Sequence, residues 1–110
     1  MFEKDWKKSY LLDFYGEVLS PRKKEALDLY YNEDLSLAEI AEHLGISRQG
    51  VRDMIKKGED ELEFLEERLG LAEKISKLRD HSERALELAQ SPDIPEKLKN
   101  EIEEISKAVK

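Results

Sequence analysis

Cysteine is absent from the 110 residues. That removes disulfide scaffolds, thiolate metal sites and cysteine nucleophiles at once. Proline and glycine are sparse, three and five residues, and they sit at punctuation points, which favours long helices. No apolar run approaches the roughly 20 residues that a membrane helix needs. The opening Met1-Phe2-Glu3-Lys4-Asp5-Trp6 is charged and lacks the apolar stretch of a secretory signal, so the expected location is the cytoplasm, without membrane insertion. The two histidines, His43 and His81, are far apart, and neither belongs to a pair on one helix turn. There is no glycine-rich phosphate loop. No catalytic group, metal or cofactor is expected.

What the chain has in abundance is charge, 41% of residues, with a net −7. The excess is uneven: residues 1–35 carry −2, residues 36–58 carry +1 and residues 59–110 carry −6. Only the central segment is not negative, and such asymmetry points to where a partner would be met. Phosphates would be repelled by the rest of the chain, so any nucleic-acid contact has to be local.

Apolar spacings of three and four predict helices throughout, and no strand alternation appears. Residues 3–19 form the first, with Trp6, Tyr10, Leu11, Phe14, Tyr15, Val18 and Leu19 inward and Gly16 marking a bend. Ser20-Pro21 starts the second, because serine accepts from free helix-start amides and proline suits the first helical position; Leu27, Tyr30 and Tyr31 face inward. Phe14-Tyr15 and Tyr30-Tyr31 therefore read as core, not as stacking platforms. Ser36-Leu37-Ala38-Glu39 is a capping box opening a short third helix that runs to His43. Ser47 caps a fourth, whose stripe of Val51, Met54 and Ile55 continues through Leu62, Leu65 and Leu69. Gly58 is expected to end or bend that helix, and Gly70 to stop it. A fifth spans residues 72–90 with Ile75, Leu78, Ala85, Leu86 and Ala89 inward. Asp93 and Glu96 are expected to form a second capping box ahead of a sixth helix. Its seam, Leu98, Ile102, Ile105 and Val109, fits packing on one partner helix.

The segment from Leu37 to Ile55 meets the requirements of a helix-turn-helix. Ala41 is small where two helices would touch, and Gly45 tolerates positive φ at the turn. Ile40, Leu44, Ile46 and Val51 plug the angle, and Ser47 caps the second helix. The fold class expected is all-α, a helix-turn-helix with long C-terminal helices. The domains expected are residues 1–70, carrying the motif, and residues 71–110, a helical extension for packing or dimerisation.

A recognition helix points its N-terminal outer face into the major groove. Here that face is Ser47, Arg48, Gln49, Arg52 and Lys56. Arginine can bridge O6 and N7 of guanine, and glutamine N6 and N7 of adenine. Lys57, Lys23 and Lys24 are candidates for phosphate contacts, and the free amides at Ser36 and Ser20 for backbone contacts. Against this, charges opposite an apolar stripe are commonly a solvated face, and Asp53 dilutes the basic group. Four basic residues against three acidic in this segment is thin beside the six to ten phosphate contacts typical of tight binding.

Ser20-Pro21-Arg22-Lys23-Lys24, then Leu35-Ser36-Leu37-Ala38-Glu39-Ile40-Ala41, then Gly45-Ile46-Ser47-Arg48, resemble the region-four helix-turn-helix of bacterial sigma factors. With Leu12-Asp13-Phe14-Tyr15, Tyr30-Tyr31-Asn32-Glu33-Asp34-Leu35-Ser36-Leu37 and Ser47-Arg48-Gln49-Gly50-Val51-Arg52-Asp53-Met54-Ile55-Lys56-Lys57, the chain resembles the YlxM family of small bacterial helix-turn-helix proteins over residues 1–75. The resemblance implies a DNA-binding regulator linked to the signal recognition particle pathway. Some members carry alanine and an aromatic residue where Gly50 and Arg52 stand here, which bears on the base-reading role of Arg52. There is no room for a second, promoter-melting domain of a full sigma factor. The stripe from Leu62 to Leu78 and the last seam either pair two copies as a homodimer or close the core of a monomer, and two functions stay open: a DNA-binding regulator, or an adaptor binding a protein or ribonucleoprotein of the secretory targeting machinery.

Overall fold

The computed structural model describes residues 6–109, with the backbone alone at Trp6. Among them are six α-helices and one 3₁₀ turn, and no strand. The helices are α1 Trp6–Tyr15, α2 Pro21–Tyr31, α3 Leu37–Leu44, α4 Arg48–Leu69, α5 Leu71–Leu88 and α6 Glu96–Ala108. None is long and apolar enough to cross a membrane. The chain divides into two compact units, residues 1–70 and 71–110.

In the first unit α4 is the spine, and α1, α2 and α3 each pack on it. Leu27, Ile40, Val51, Ile55 and Leu62 are wholly enclosed, each contributing about 1.5–3 kcal/mol relative to exposure. Tyr15, Tyr30 and Tyr31 are buried beside them, as their helical spacing requires. The Tyr15 hydroxyl donates to Glu66 Oε1 at 2.6 Å and that of Tyr31 to Glu59 Oε2. Those bonds satisfy phenols taken from water and tie α1 and α2 to the far half of α4. Glu59 is only 5% exposed, an acid enclosed on the inward side of its helix.

Two boundaries differ from the sequence reading. The first helix does not reach residue 19; residues 3–5 and the Trp6 side chain lie outside the described residues. It ends at Tyr15 and passes into the turn Gly16–Val18, after which Leu19 is extended at ψ 154 and Ser20, preceding Pro21, at ψ 150. Val18 is consequently 62% exposed, while Leu19 turns inward. The fourth helix neither ends nor is interrupted at Gly58: it is continuous from Arg48 to Leu69. A Cβ at Gly58 would lie 2.7 Å from Leu27 Cδ1. Glycine is there because α2 presses against the α4 backbone, a requirement that outweighs its poor helix propensity. Farther along, Leu69, expected inward, is exposed. Gly70 closes the helix in the left-handed region at φ 62.

In the second unit α5 and α6 pack on each other. The enclosed positions are small, Ala72, Ser82, Ala89 and Ser106, while Leu78, Leu98 and Ile105, all expected inward, are about half exposed. The face of α6 turned to α5 is thus rotated from the expected seam, to Lys99, Ile102, Glu103, Ser106 and Val109. Small side chains allow closer approach than a leucine seam. Arg79 Nε donates to the Val109 carbonyl across the pair. No second capping box forms: Pro95 is the N-cap of α6, without a side-chain bond, since proline presets the entry and Asp93 falls two residues outside it.

Candidate nucleic-acid interface

The interface is built on the corner between α3 and α4. Ser36 Oγ accepts from the Glu39 amide at 3.1 Å, and Glu39 Oε1 accepts from the Ser36 amide at 3.0 Å. This is the capping box read from the sequence. At the other end of α3, Gly45 adopts φ 71, ψ 33. The amides of Gly45 and Ile46 both return to the Ala41 carbonyl, a closure available only with a left-handed residue there. Ala41 and Ile40 are buried at the crossing. Ser47 Oγ then accepts from the Gly50 amide at 3.0 Å and starts α4. Of the residues expected to plug the angle, Ile40 and Val51 are enclosed, while Leu44 and Ile46 are partly exposed.

The corner exposes Arg48, Gln49, Arg52, Asp53, Lys56 and Lys57, while Val51 and Ile55 of the same turns are buried. Leu37, Arg48, Gln49 and Arg52 line a shallow open groove, so the first residue of α3 shares a surface with the first turns of α4. Leu37 was missed in the sequence reading; its place directly after the N-cap Ser36 was the available signal.

The cations differ in freedom. Arg48 and Lys57 project to solvent. Arg52 stands near the buried Tyr30 phenol, whose pKa is pushed up by burial and by Glu59, with Arg52 opposing. Lys56 Nζ lies 3.1 Å from Asp60 Oδ1, and that hydrogen bond, with the carboxylate charge, raises its pKa. Lys23 is 3.2 Å from Glu61. Lys24 is paired with Glu17, and its pKa is raised by that bond. All three would have to exchange these carboxylates for phosphates. The Ser36 amide is occupied by Glu39, whose pKa is lowered by that backbone hydrogen bond. An acid already holds the start of α3, which disfavours a phosphate there. Ser20 Oγ accepts from the Lys23 amide at 3.4 Å.

Charge reverses along α4. Residues 48–58 hold Arg48, Arg52, Lys56 and Lys57 against Asp53, whereas residues 59–69 hold six acids against Arg68. Of these bases only Arg48 stands in the first turn, where the helix dipole disfavours a cation by about 0.3–1 kcal/mol. The acids have an internal use: Glu59 and Glu66 hold tyrosines, Glu61 meets Lys23, and Glu63 lies 3.6 Å from Lys8. Of the bases in the first half, Lys56 meets Asp60 and Arg52 stands near Tyr30, while Arg48 and Lys57 are exposed.

The model of the family described as "Putative helix-turn-helix protein, YlxM / p13 like" (UPF0122) matches residues 2–105. The chain belongs to this family. It is 49% identical to a UPF0122 protein of Acetivibrio thermocellus over 92 residues, covering 84% of this chain and 79% of that one. A Thermoanaerobacter relative is 42% identical over 106 residues, 87% of this chain and 91% of its own. A UPF0122 protein of Listeria welshimeri is 38% identical over 106 residues, 96% of each. The family is described as one of helix-turn-helix proteins.

Proposed function

We propose that the protein is a DNA-binding regulator that lays the first half of α4 in the major groove. The charge reversal along α4 carries this reading: Arg48, Arg52, Lys56 and Lys57 are gathered on the first half of the second helix of a helix-turn-helix, and the acids follow on the second half. Arg48 and Gln49 meet base edges, while Arg52, Lys56 and Lys57 meet phosphates. The second unit pairs two copies, so that two recognition helices address successive turns of the duplex.

The deciding experiment is a duplex selection at low salt, followed by binding measurements across a salt series. With about three phosphate contacts per copy, log affinity should fall against log salt with a slope of about −3 per copy. Charge-neutral replacement of Arg48 together with Gln49→Ala should abolish sequence preference while helicity is kept. Recovery of no preferred site ends this reading.

The second reading, an adaptor of the secretory targeting machinery, draws on the pairing of Lys23, Lys24 and Lys56 with carboxylates, which leaves few ready cations. On this reading the partners are signal recognition particle components, in keeping with the pathway that the resemblance to YlxM implies. Co-purification that survives nuclease and is indifferent to Arg48 favours it over DNA binding.

A further inference from the structure

One acid interrupts the basic half of α4. Asp53 is the only acidic residue between Ser47 and Glu59, and it is exposed one helical turn beyond Gln49. Facing a polyanion, a carboxylate there is unfavourable unless it acts on a neighbour. It does touch one: Gln49 Nε2 donates to Asp53 Oδ1 at 3.0 Å, one helical turn away.

An ionised carboxylate only accepts hydrogen bonds. The contact therefore determines which end of the Gln49 carboxamide faces Asp53: the amino group, never the carbonyl. One N–H is then committed, and the other N–H and the carbonyl oxygen remain. That leaves one donor beside one acceptor. In the major groove adenine presents N7, an acceptor, beside the N6 amino group, a donor, whereas guanine presents two acceptors, N7 and O6. A glutamine held this way matches adenine. To serve guanine it would have to turn both N–H groups outward and leave Asp53. The carboxylate itself would also oppose the two guanine acceptors.

From this geometry we infer that Asp53 is a specificity-determining positioning residue, orienting Gln49 to read adenine and reject guanine at one base pair. The inference rests on the DNA-binding reading and adds to it the class of base read. Asp53 acts through Gln49 and need not touch DNA.

The test is selection from a randomised duplex pool with the full chain and with Asp53→Ala, Asp53→Asn and Gln49→Ala. Affinities are then measured on the four duplexes that differ at the position Gln49→Ala alters. The native chain should prefer adenine over guanine there by about tenfold. Asp53→Ala should lower that ratio severalfold, chiefly by strengthening the guanine duplex, with preferences elsewhere in the site unchanged. Asp53→Asn, which can accept or donate, should give an intermediate ratio, and it guards against misfolding of the alanine variant. A merely helix-stabilising Gln49–Asp53 pair predicts equal changes in affinity for all four duplexes; that result, or a preference for guanine in the native chain, overturns the inference while leaving DNA binding intact. If the native chain selects no site, the DNA-binding reading falls and this inference falls with it.

Discussion

Gly58 shows how a single residue can be read correctly as an oddity and wrongly as a break. Glycine in a helix costs about 1 kcal/mol against alanine, which from sequence argues for a terminus. In the fold, Leu27 occupies the place of the missing Cβ, and Leu27 is itself wholly enclosed. Gly58→Ala should therefore gain helix propensity and lose more to overpacking, typically 1–3 kcal/mol, for a net destabilisation of about 1 kcal/mol. Urea unfolding followed by circular dichroism measures it, and a stabilised variant would show that Leu27 has room to move. Gly45 is the contrasting case. Nothing lies near its Cβ position, and its φ of 71 alone demands glycine. A turn glycine between two periodic segments is legible from neighbours in sequence, whereas a packing glycine depends on a residue thirty-one positions away.

At the scale of elements, the capping signals were legible because they are local. Ser20, Ser36 and Ser47 each accept from the amide three residues on, and spacing alone announces that bond. The exception, Asp93, has its amide toward Ser91 Oγ at 3.5 Å, so the same residue types were used for a turn. The α3 cap has a consequence for acid stability. Its hydrogen bonds lower the Glu39 pKa in the folded chain, so the contribution of the carboxylate is complete above the ordinary glutamate pKa of about 4.3. It is lost as pH falls through the depressed folded value. Glu39→Gln keeps an acceptor for the Ser36 amide without titrating there. Acid titration of helicity should be shallower in that variant below about pH 4.3, with little change at neutral pH. Superimposable curves would mean the cap contributes nothing to the pH response.

The whole molecule raises the matter of its unspent apolar surface. Leu71, Leu78, Leu98 and Ile105 are each about half exposed and Leu88 is 74% exposed, on a unit of two helices whose mutual contact uses small side chains. A large aliphatic side chain left in water forgoes much of the about 1.5–3 kcal/mol its burial contributes. Pairing of two copies through this unit would recover it, as the proposed function requires. Light scattering should then give about twice the chain mass of 12.8 kDa, and Leu98→Asp with Ile105→Asp should return it to one copy while helicity persists. A native chain of single mass at tens of micromolar removes the dimer from the proposal.

Sequence by itself determined the helix-turn-helix, because a capped start, a small residue at the crossing, a left-handed turn and a second cap are all set within about twenty residues, where spacing is geometry. It also exposed the basic outward side of α4, since a helix assigns faces by a period of 3.6. Tertiary structure alone decided the uninterrupted α4, the enclosed Glu59 with its tyrosine partner, the rotated face of α6 and the retirement of three lysines to carboxylates. Each depends on which residues of distant segments meet, and the shape of that meeting is invisible to periodicity. Even the Gln49–Asp53 bond, only four residues long, needed coordinates: many exposed pairs at that spacing exist in any helix, and only positions in space say which of them close.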